Sequence, residues 1–189
     1  QVEQFPTIQF FRTVPMLSLV RFARWEEILS EPEPHAPFAF ARAIWHYGRG
    51  VAYASMENKE SALKELAAIE RLEPEVDEIF MGNVYPAKSL IGIAKSLLRG
   101  EIAFRSGAMA AAVTSFEQAV AMQDALPYTE PPFWYYPTRQ SLGAALLADG
   151  RAAEAQLVFE ADLEQYPMNG WSLYGLTEAL NAQGHTAPA

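Results

Sequence analysis

The three histidines of the chain are the first candidates for catalysis or metal binding, because imidazole serves both as a base and as a metal ligand. His35 lies in a proline-rich stretch, His185 lies near the C-terminus, and His46 lies between two aromatic residues in a segment of helical periodicity. A metal site needs three or four convergent ligands, and the chain has no cysteine to supplement the histidines. The sequence therefore predicts no metal site, and we interpret His46 as a helix-packing residue.

Nucleophilic, acid–base and phosphate chemistry also lack the patterns that they require. No Gly-x-Ser-x-Gly motif presents a serine nucleophile, and no glycine-rich loop has the spacing that cradles a phosphate. Neighbouring carboxylates such as Glu26-Glu27 and Asp77-Glu78 lie at predicted helix starts or in loops, where the helix dipole and solvation account for them. We therefore predict a non-catalytic protein without a cofactor.

Composition narrows the class of protein further. The 189 residues are 50% hydrophobic and 20% charged, so the chain can bury a sizeable core. Its 23 acidic and 14 basic residues give a net charge of -9, which repels phosphate backbones and disfavours nucleic-acid binding. No apolar run approaches the roughly 18 residues that a membrane span needs, so we predict no membrane-spanning helix. Because the sequence begins at Gln1 without an initiator methionine, we expect a fragment or processed product of a longer protein.

An internal repeat indicates the elements that position the remaining residues. Gly50, Gly100 and Gly143 are each followed by small or apolar residues at offsets of three, twelve and sixteen, and by Pro or Asp at twenty-four. The three sets are Tyr53, Ala62, Leu66 and Pro74; Ala103, Ala112, Phe116 and Asp124; and Leu146, Ala155, Phe159 and Pro167. A glycine on one helix and an alanine on the next allow the two helices to cross closely. A second glycine seven residues later, Gly107 or Gly150, supplies the positive φ that ends the first helix, whereas the first copy has Glu57 there.

This pattern resembles the tetratricopeptide repeat. That repeat contains, in order, an aromatic residue, Leu-Gly, a second aromatic residue, Ala-x3-Phe and a closing Pro. The resemblance implies an all-α fold, a right-handed helical-repeat array (an α-solenoid) of antiparallel helix pairs. We predict one domain over residues 1–189, with a degenerate pair at 7–30, repeats at about 43–76, 93–126 and 136–169, and a terminal capping helix at 170–183. Residues 131–175 also resemble the C-terminal part of larger bacterial tetratricopeptide proteins.

Periodicity predicts helices and no strand, because no stretch alternates apolar and polar residues for long enough. The predicted helices span 7–22, 24–30, 37–56, 59–72, 86–105, 108–124, 133–149, 151–166 and 170–183. The glycine spacings of 50 and 43 residues exceed the 34 of the family, so the surplus is expected in the connections at 73–86 and 124–132.

The resemblance also implies a binding surface. In tetratricopeptide arrays, one stripe of the first helices lines a concave groove that holds extended peptides or partner helices. The corresponding residues here are Tyr47, Val51, Leu97, Glu101, Arg105, Phe133, Tyr136, Gln140 and Ala144. The cationic set that clamps a peptide terminus in chaperone-binding members is not matched at these positions. We therefore predict a protein or peptide partner with a hydrophobic segment and an acidic group near Arg105.

Two other interpretations remain open at this point. The chain could be a structural C-terminal end-cap of a larger protein whose ligand-binding or enzymatic site lies upstream, with its own connections filling the groove. Alternatively, four aromatic residues, Trp45, Tyr47, Trp134 and Tyr135, could wall a small-molecule pocket.

Overall fold

The computed structural model describes residues 9–76 and 85–185, and within them the chain is all-α, which confirms the all-α part of the expected fold. The nine helices of these ranges are α1 (Gln9–Arg21), α2 (Trp25–Ser30), α3 (Ala39–Ser55), α4 (Lys59–Leu72), α5 (Ala87–Arg105), α6 (Met109–Asp124), α7 (Arg139–Ala148), α8 (Ala152–Gln165) and α9 (Gly170–Ala182). A single 3-10 turn at Glu73–Glu75 follows α4. The start of the helix predicted at 7–22 and most of the connection 73–86 lie outside the described residues. None of the described helices is long and apolar enough to cross a membrane.

Consecutive helices pack against one another. The most extensive contacts join α3 to α4, α5 to α6, α7 to α8 and α8 to α9, while α1 and α2 pack on α3 and α3 packs on α5. The core lies between these helices and includes the fully buried Phe40 and Ile44 of α3 and Ile91 and Leu98 of α5. Burial of such apolar side chains is the main favourable contribution to folding.

The helix ends repeat one geometry. A residue of positive φ follows α1, α3, α5, α7 and α9; these residues are Ala23, Glu57, Gly107, Gly150 and Gly184. In each case the next backbone N–H donates to the carbonyl five residues earlier, as from Ala108 to Ala103 at 2.9 Å. This is the Schellman ending of a helix, which favours glycine at the left-handed position. Glu57 adopts the same φ, of 60°, although its repeat lacks the glycine.

The repeat glycines allow close helix crossings. A Cβ atom added at Gly100 or Gly143 would overlap the ring of Phe116 or Phe159, the residue sixteen positions later on the following helix. A Cβ atom added at Gly50 would instead overlap Leu98 of α5. The glycine of the first copy therefore allows α5 to pack closely against α3. The three alanines at the crossings, Ala62, Ala112 and Ala155, are fully buried.

The prediction of a helix over 133–149 is wrong at its N-terminal end, because α7 begins at Arg139. Residues 125–138, which we call the connecting segment, form turns, bends and irregular backbone after α6. Pro137 explains the difference at Tyr136, since a proline disfavours helical backbone at the residue before it. The four aromatic residues 133–136 are therefore presented by irregular backbone and not by the first turn of a helix.

Candidate functional site

Two adjoining cavities, both open to solvent, form the candidate site. The tyrosine cavity, of about 190 Å³, is bordered by Tyr47 and Tyr135, and the tryptophan cavity, of about 250 Å³, is bordered by Trp171. They share the lining residues Arg21, Glu101, Arg105, Phe116, Tyr136 and Ser141. Because of these common walls we treat the two cavities as one groove.

The groove is assembled from parts of the chain that are far apart in sequence. α1 supplies Arg21, α5 supplies Glu101 and Arg105, and α7 and α9 supply Gln140 and Trp171. The connecting segment adds the rings of residues 135 and 136. Seven helices contribute to the lining of the two cavities, namely α1, α2, α3, α5, α6, α7 and α9.

Eight of the nine residues predicted from the repeat offsets line the groove. Tyr47, Val51, Leu97, Glu101, Arg105 and Tyr136 line the tyrosine cavity, and Gln140 and Ala144 line the tryptophan cavity. Tyr47 and Leu97 are only 2% exposed, so they form the floor of the groove. The ninth residue, Phe133, lines neither cavity: it packs against Tyr85 with ring centres 5.3 Å apart and lines a third, apolar cavity beside α1, which shares Arg21 and Tyr135 with the tyrosine cavity.

The connecting segment covers one end of the predicted surface. The hydroxyl groups of Tyr47 and Tyr135 lie 3.0 Å apart, and the ring of Trp134 meets that of Tyr47 at 5.6 Å between centres. Three of the four aromatic residues considered for a small-molecule pocket, Tyr47, Trp134 and Tyr135, are therefore in contact. The fourth, Trp45, lies apart from them, where its indole N–H donates to the Glu31 carbonyl at 3.0 Å.

The charge of the groove differs from the expectation. The sequence predicts an acidic group of the partner near Arg105, but the Arg105 guanidinium already bonds Glu101 at 2.7 Å. Arg21 carries the uncompensated charge instead: among the described residues, no carboxylate lies within 4 Å of it. Its Nη1 donates to Gln140 Oε1 at 3.0 Å, and its guanidinium lies 4.0 Å from the ring centre of Trp171. Burial lowers the pKa of Arg21, which nevertheless remains a cation at neutral pH.

The tyrosines of the groove are neutral hydrogen-bonding groups. Burial raises the pKa of Tyr136 to about 12 and raises the pKa values of Tyr47 and Tyr135 well above the ordinary value. Neutral phenols can donate to and accept from a ligand but do not act as bases near neutral pH. The groove therefore offers hydrogen bonds, aromatic faces and, among the described residues, one arginine without a carboxylate partner.

A buried carboxyl group lies behind the groove and was not singled out from the sequence. Asp162 of α8 is fully buried and accepts a short hydrogen bond from the Ser172 hydroxyl, while Gln140 Nε2 donates to the same Ser172 oxygen at 3.4 Å. Oδ1 of Asp162 has no hydrogen-bond partner among the described residues. Burial raises the pKa of Asp162, because desolvation penalises the carboxylate form.

This arrangement predicts a pH-dependent effect of Asp162→Asn. A raised pKa in the folded state means that the folded chain binds the proton more tightly than the unfolded chain, whose aspartate titrates near about 3.9. Stability due to this group is therefore complete below that value and is lost as the pH rises through the folded-state pKa. We expect the stability of Asp162→Asn relative to the parent to increase between pH 4 and pH 7, as measured by urea unfolding. Glu164→Gln, an exposed change on the same helix, should show no such increase, and an equal difference at both pH values would contradict the prediction.

The histidine singled out from the sequence belongs to a polar cluster outside the groove. His46 Nδ1 and Glu65 Oε2 lie 2.5 Å apart, and Arg49 Nε bonds the other Glu65 oxygen at 2.9 Å. Over the part of the chain that the structure describes, no group of three or more potential ligands could hold a metal ion.

Comparison of the chain with protein-family models, with curated proteins and with solved structures finds no match.

Proposed function

We propose that the chain is a non-catalytic helical-repeat scaffold of the tetratricopeptide kind, and that it binds an extended segment of a partner protein in the groove. The proposal includes a right-handed array of antiparallel helix pairs, with the groove on its concave side. What carries it is the convergence of eight residues with related repeat offsets on one open, partly aromatic groove. An accessible surface with aromatic and arginine side chains is typical of interfaces between proteins.

The end-cap interpretation has one observation in its favour, which is the contact of the connecting segment with Tyr47. Another observation weighs against it. A finishing helix is expected to turn a polar face outward, but Trp171, Leu173 and Tyr174 of α9 are 58%, 43% and 67% exposed. We therefore favour partner binding, with the connecting segment as a wall of the groove.

The proposal is tested by selection from a displayed library of random heptapeptides. The intact chain should enrich a family of related sequences rich in apolar residues. Ala144→Arg places a long charged side chain at an exposed position on the groove wall, and we expect it to weaken binding of a selected peptide by about tenfold or more.

Ala161→Arg is the matched control, because Ala161 is also an exposed helical alanine but lies on α8 outside the groove. It should bind as the parent chain does. No enrichment by the parent chain, or equal binding by Ala144→Arg, would contradict the proposed function.

A further inference from the structure

Arg21 is an exception among the partly buried arginines of the described chain. The others each have a carboxylate oxygen within 3 Å; they are Arg42 with Glu33, Arg49 with Glu65, Arg139 with Asp124 and Arg151 with Glu154. Arg21 is partly buried, yet no carboxylate in the described residues lies within 4 Å of it. A cation removed from water without an opposite charge is unfavourable unless something compensates it.

The neighbours of Arg21 hold its guanidinium but leave most of its hydrogen-bonding capacity unused. The rings of Trp171 and Tyr136 lie 4.0 and 5.3 Å from its central carbon, and these cation–π contacts fix the plane of the group. A guanidinium has five N–H donors, and one of them reaches Gln140 Oε1 at 3.0 Å. The side chain lines both the tyrosine cavity and the tryptophan cavity, so its remaining donors are accessible from the groove.

The electrostatics of the groove favour an anion at this point. Glu101 and Arg105 neutralise each other at 2.7 Å, which leaves Arg21 as the unbalanced charge among the residues that line the two cavities. A planar guanidinium matches a carboxylate, which it can bind through two parallel hydrogen bonds. The chain as a whole is strongly acidic, with a net charge of -9, so the groove is a local exception that attracts a negative group.

The position of Arg21 also indicates which carboxylate would bind. Arg21 borders both cavities: Val51 and Leu97 line the tyrosine cavity, and Phe104 and Ala144 line the tryptophan cavity. An extended segment that passes Arg21 can therefore place apolar side chains in both cavities. This arrangement fits an acidic side chain within a segment better than the carboxylate at its end.

We infer that the partner segment carries an aspartate or glutamate side chain flanked by apolar residues, and that Arg21, in cation–π contact with Tyr136 and Trp171, binds this carboxylate. The inference rests on the proposed function, because it specifies the partner of the same groove. It also replaces the expectation that Arg105 would receive the acidic group, since Arg105 already has Glu101 as its partner.

The test uses the displayed heptapeptides with the parent chain, Arg21→Gln and Arg24→Gln. The parent chain should enrich an acidic residue at one position between apolar residues, and Arg21→Gln should lose that preference. Arg24→Gln is the control, because Arg24 is an exposed arginine three residues later that pairs with Glu27 outside the groove; it should select the same peptides as the parent.

A synthetic copy of a selected peptide then measures the contact directly. We expect its affinity to fall by about tenfold or more when its acidic residue is changed to the amide, or when Arg21 is changed to Gln, and to fall little further when both changes are combined. Arg21→Lys should keep the acidic preference with weaker affinity, and circular dichroism of each variant shows whether the fold is retained. Amidation of the peptide C-terminus should leave the affinity unchanged.

The possible results separate the two proposals. Failure of the parent chain to enrich any peptide would contradict the proposed function itself. Enrichment of peptides without an acidic residue, or an acidic preference that survives in Arg21→Gln, would overturn the inference about Arg21 alone. Dependence of binding on a free C-terminus would overturn it as well, because the carboxylate would then be terminal.

Discussion

Replacement of Phe159 by alanine is expected to lower the free energy of unfolding by about 3–5 kcal/mol, which is the usual range for a buried Phe→Ala change. The ring is 3% exposed and lies at the point where three helices meet. It fills the space left by Gly143 of α7 and Gly175 of α9, since a Cβ atom at either glycine would overlap it. Helices packed this closely cannot collapse fully into the cavity that alanine would leave.

Urea unfolding followed by circular dichroism measures this loss. Leu157→Ala is the control on the same helix, because Leu157 is 66% exposed and its truncation should change stability by much less. If the two substitutions lowered stability equally, Phe159 would not hold α7, α8 and α9 together as its contacts indicate.

Replacement of Trp134 by alanine should have an effect of similar size, about 3–5 kcal/mol, but with a different local result. The ring is 3% exposed and joins the connecting segment to the core through Tyr47, at 5.6 Å, and Tyr135, at 5.2 Å. Its loss should release residues 125–138 from α3. We therefore expect faster proteolytic cleavage in this segment and faster hydrogen exchange around Tyr47, in addition to the lower stability in urea.

Trp134→Phe is the matched control for that prediction. Phenylalanine keeps an aromatic ring against Tyr47 and removes the indole N–H, which has no hydrogen-bond partner among the described residues. The loss of stability should therefore be clearly smaller than for alanine, since no buried hydrogen bond is broken. A segment that stays resistant to protease in Trp134→Ala would show that other contacts hold it in place.

Elements with strong local signals could be predicted from the sequence. The helix expected at 59–72 is observed at Lys59–Leu72, where an asparagine side chain caps the N-terminus and apolar residues recur at helical spacing. The helix predicted over 133–149 is wrong over residues 133–138. The aromatic residues there suggested one face of a helix, but Pro137 disfavours helical backbone before Arg139. In this segment the proline determines the backbone more strongly than the repeat pattern does.

The residues of the candidate site could likewise be predicted only where the repeat pattern includes them. Leu97 and Gln140 each lie three residues before a repeat glycine, and both line the groove. Arg21 and Trp171 were missed because neither belongs to the repeated stripe, and no periodicity relates α1 to α9. The only signal for Arg21 in the sequence is a basic residue in the last turn of an apolar helix, which the helix dipole explains equally well. The contacts of Arg21 with Tyr136, Gln140 and Trp171 are seen only in the structure.

The hydrogen bond from Arg21 to Gln140 connects residues 119 positions apart, and this bears on how the chain unfolds. In a linear repeat protein each unit contacts only its neighbours, so the two ends can fray independently. Here the first helix also touches α7 and α9, so its detachment removes contacts from the opposite end of the chain. Such a link raises the contact order and is expected to slow folding. It also favours a single cooperative transition over stepwise melting from either terminus.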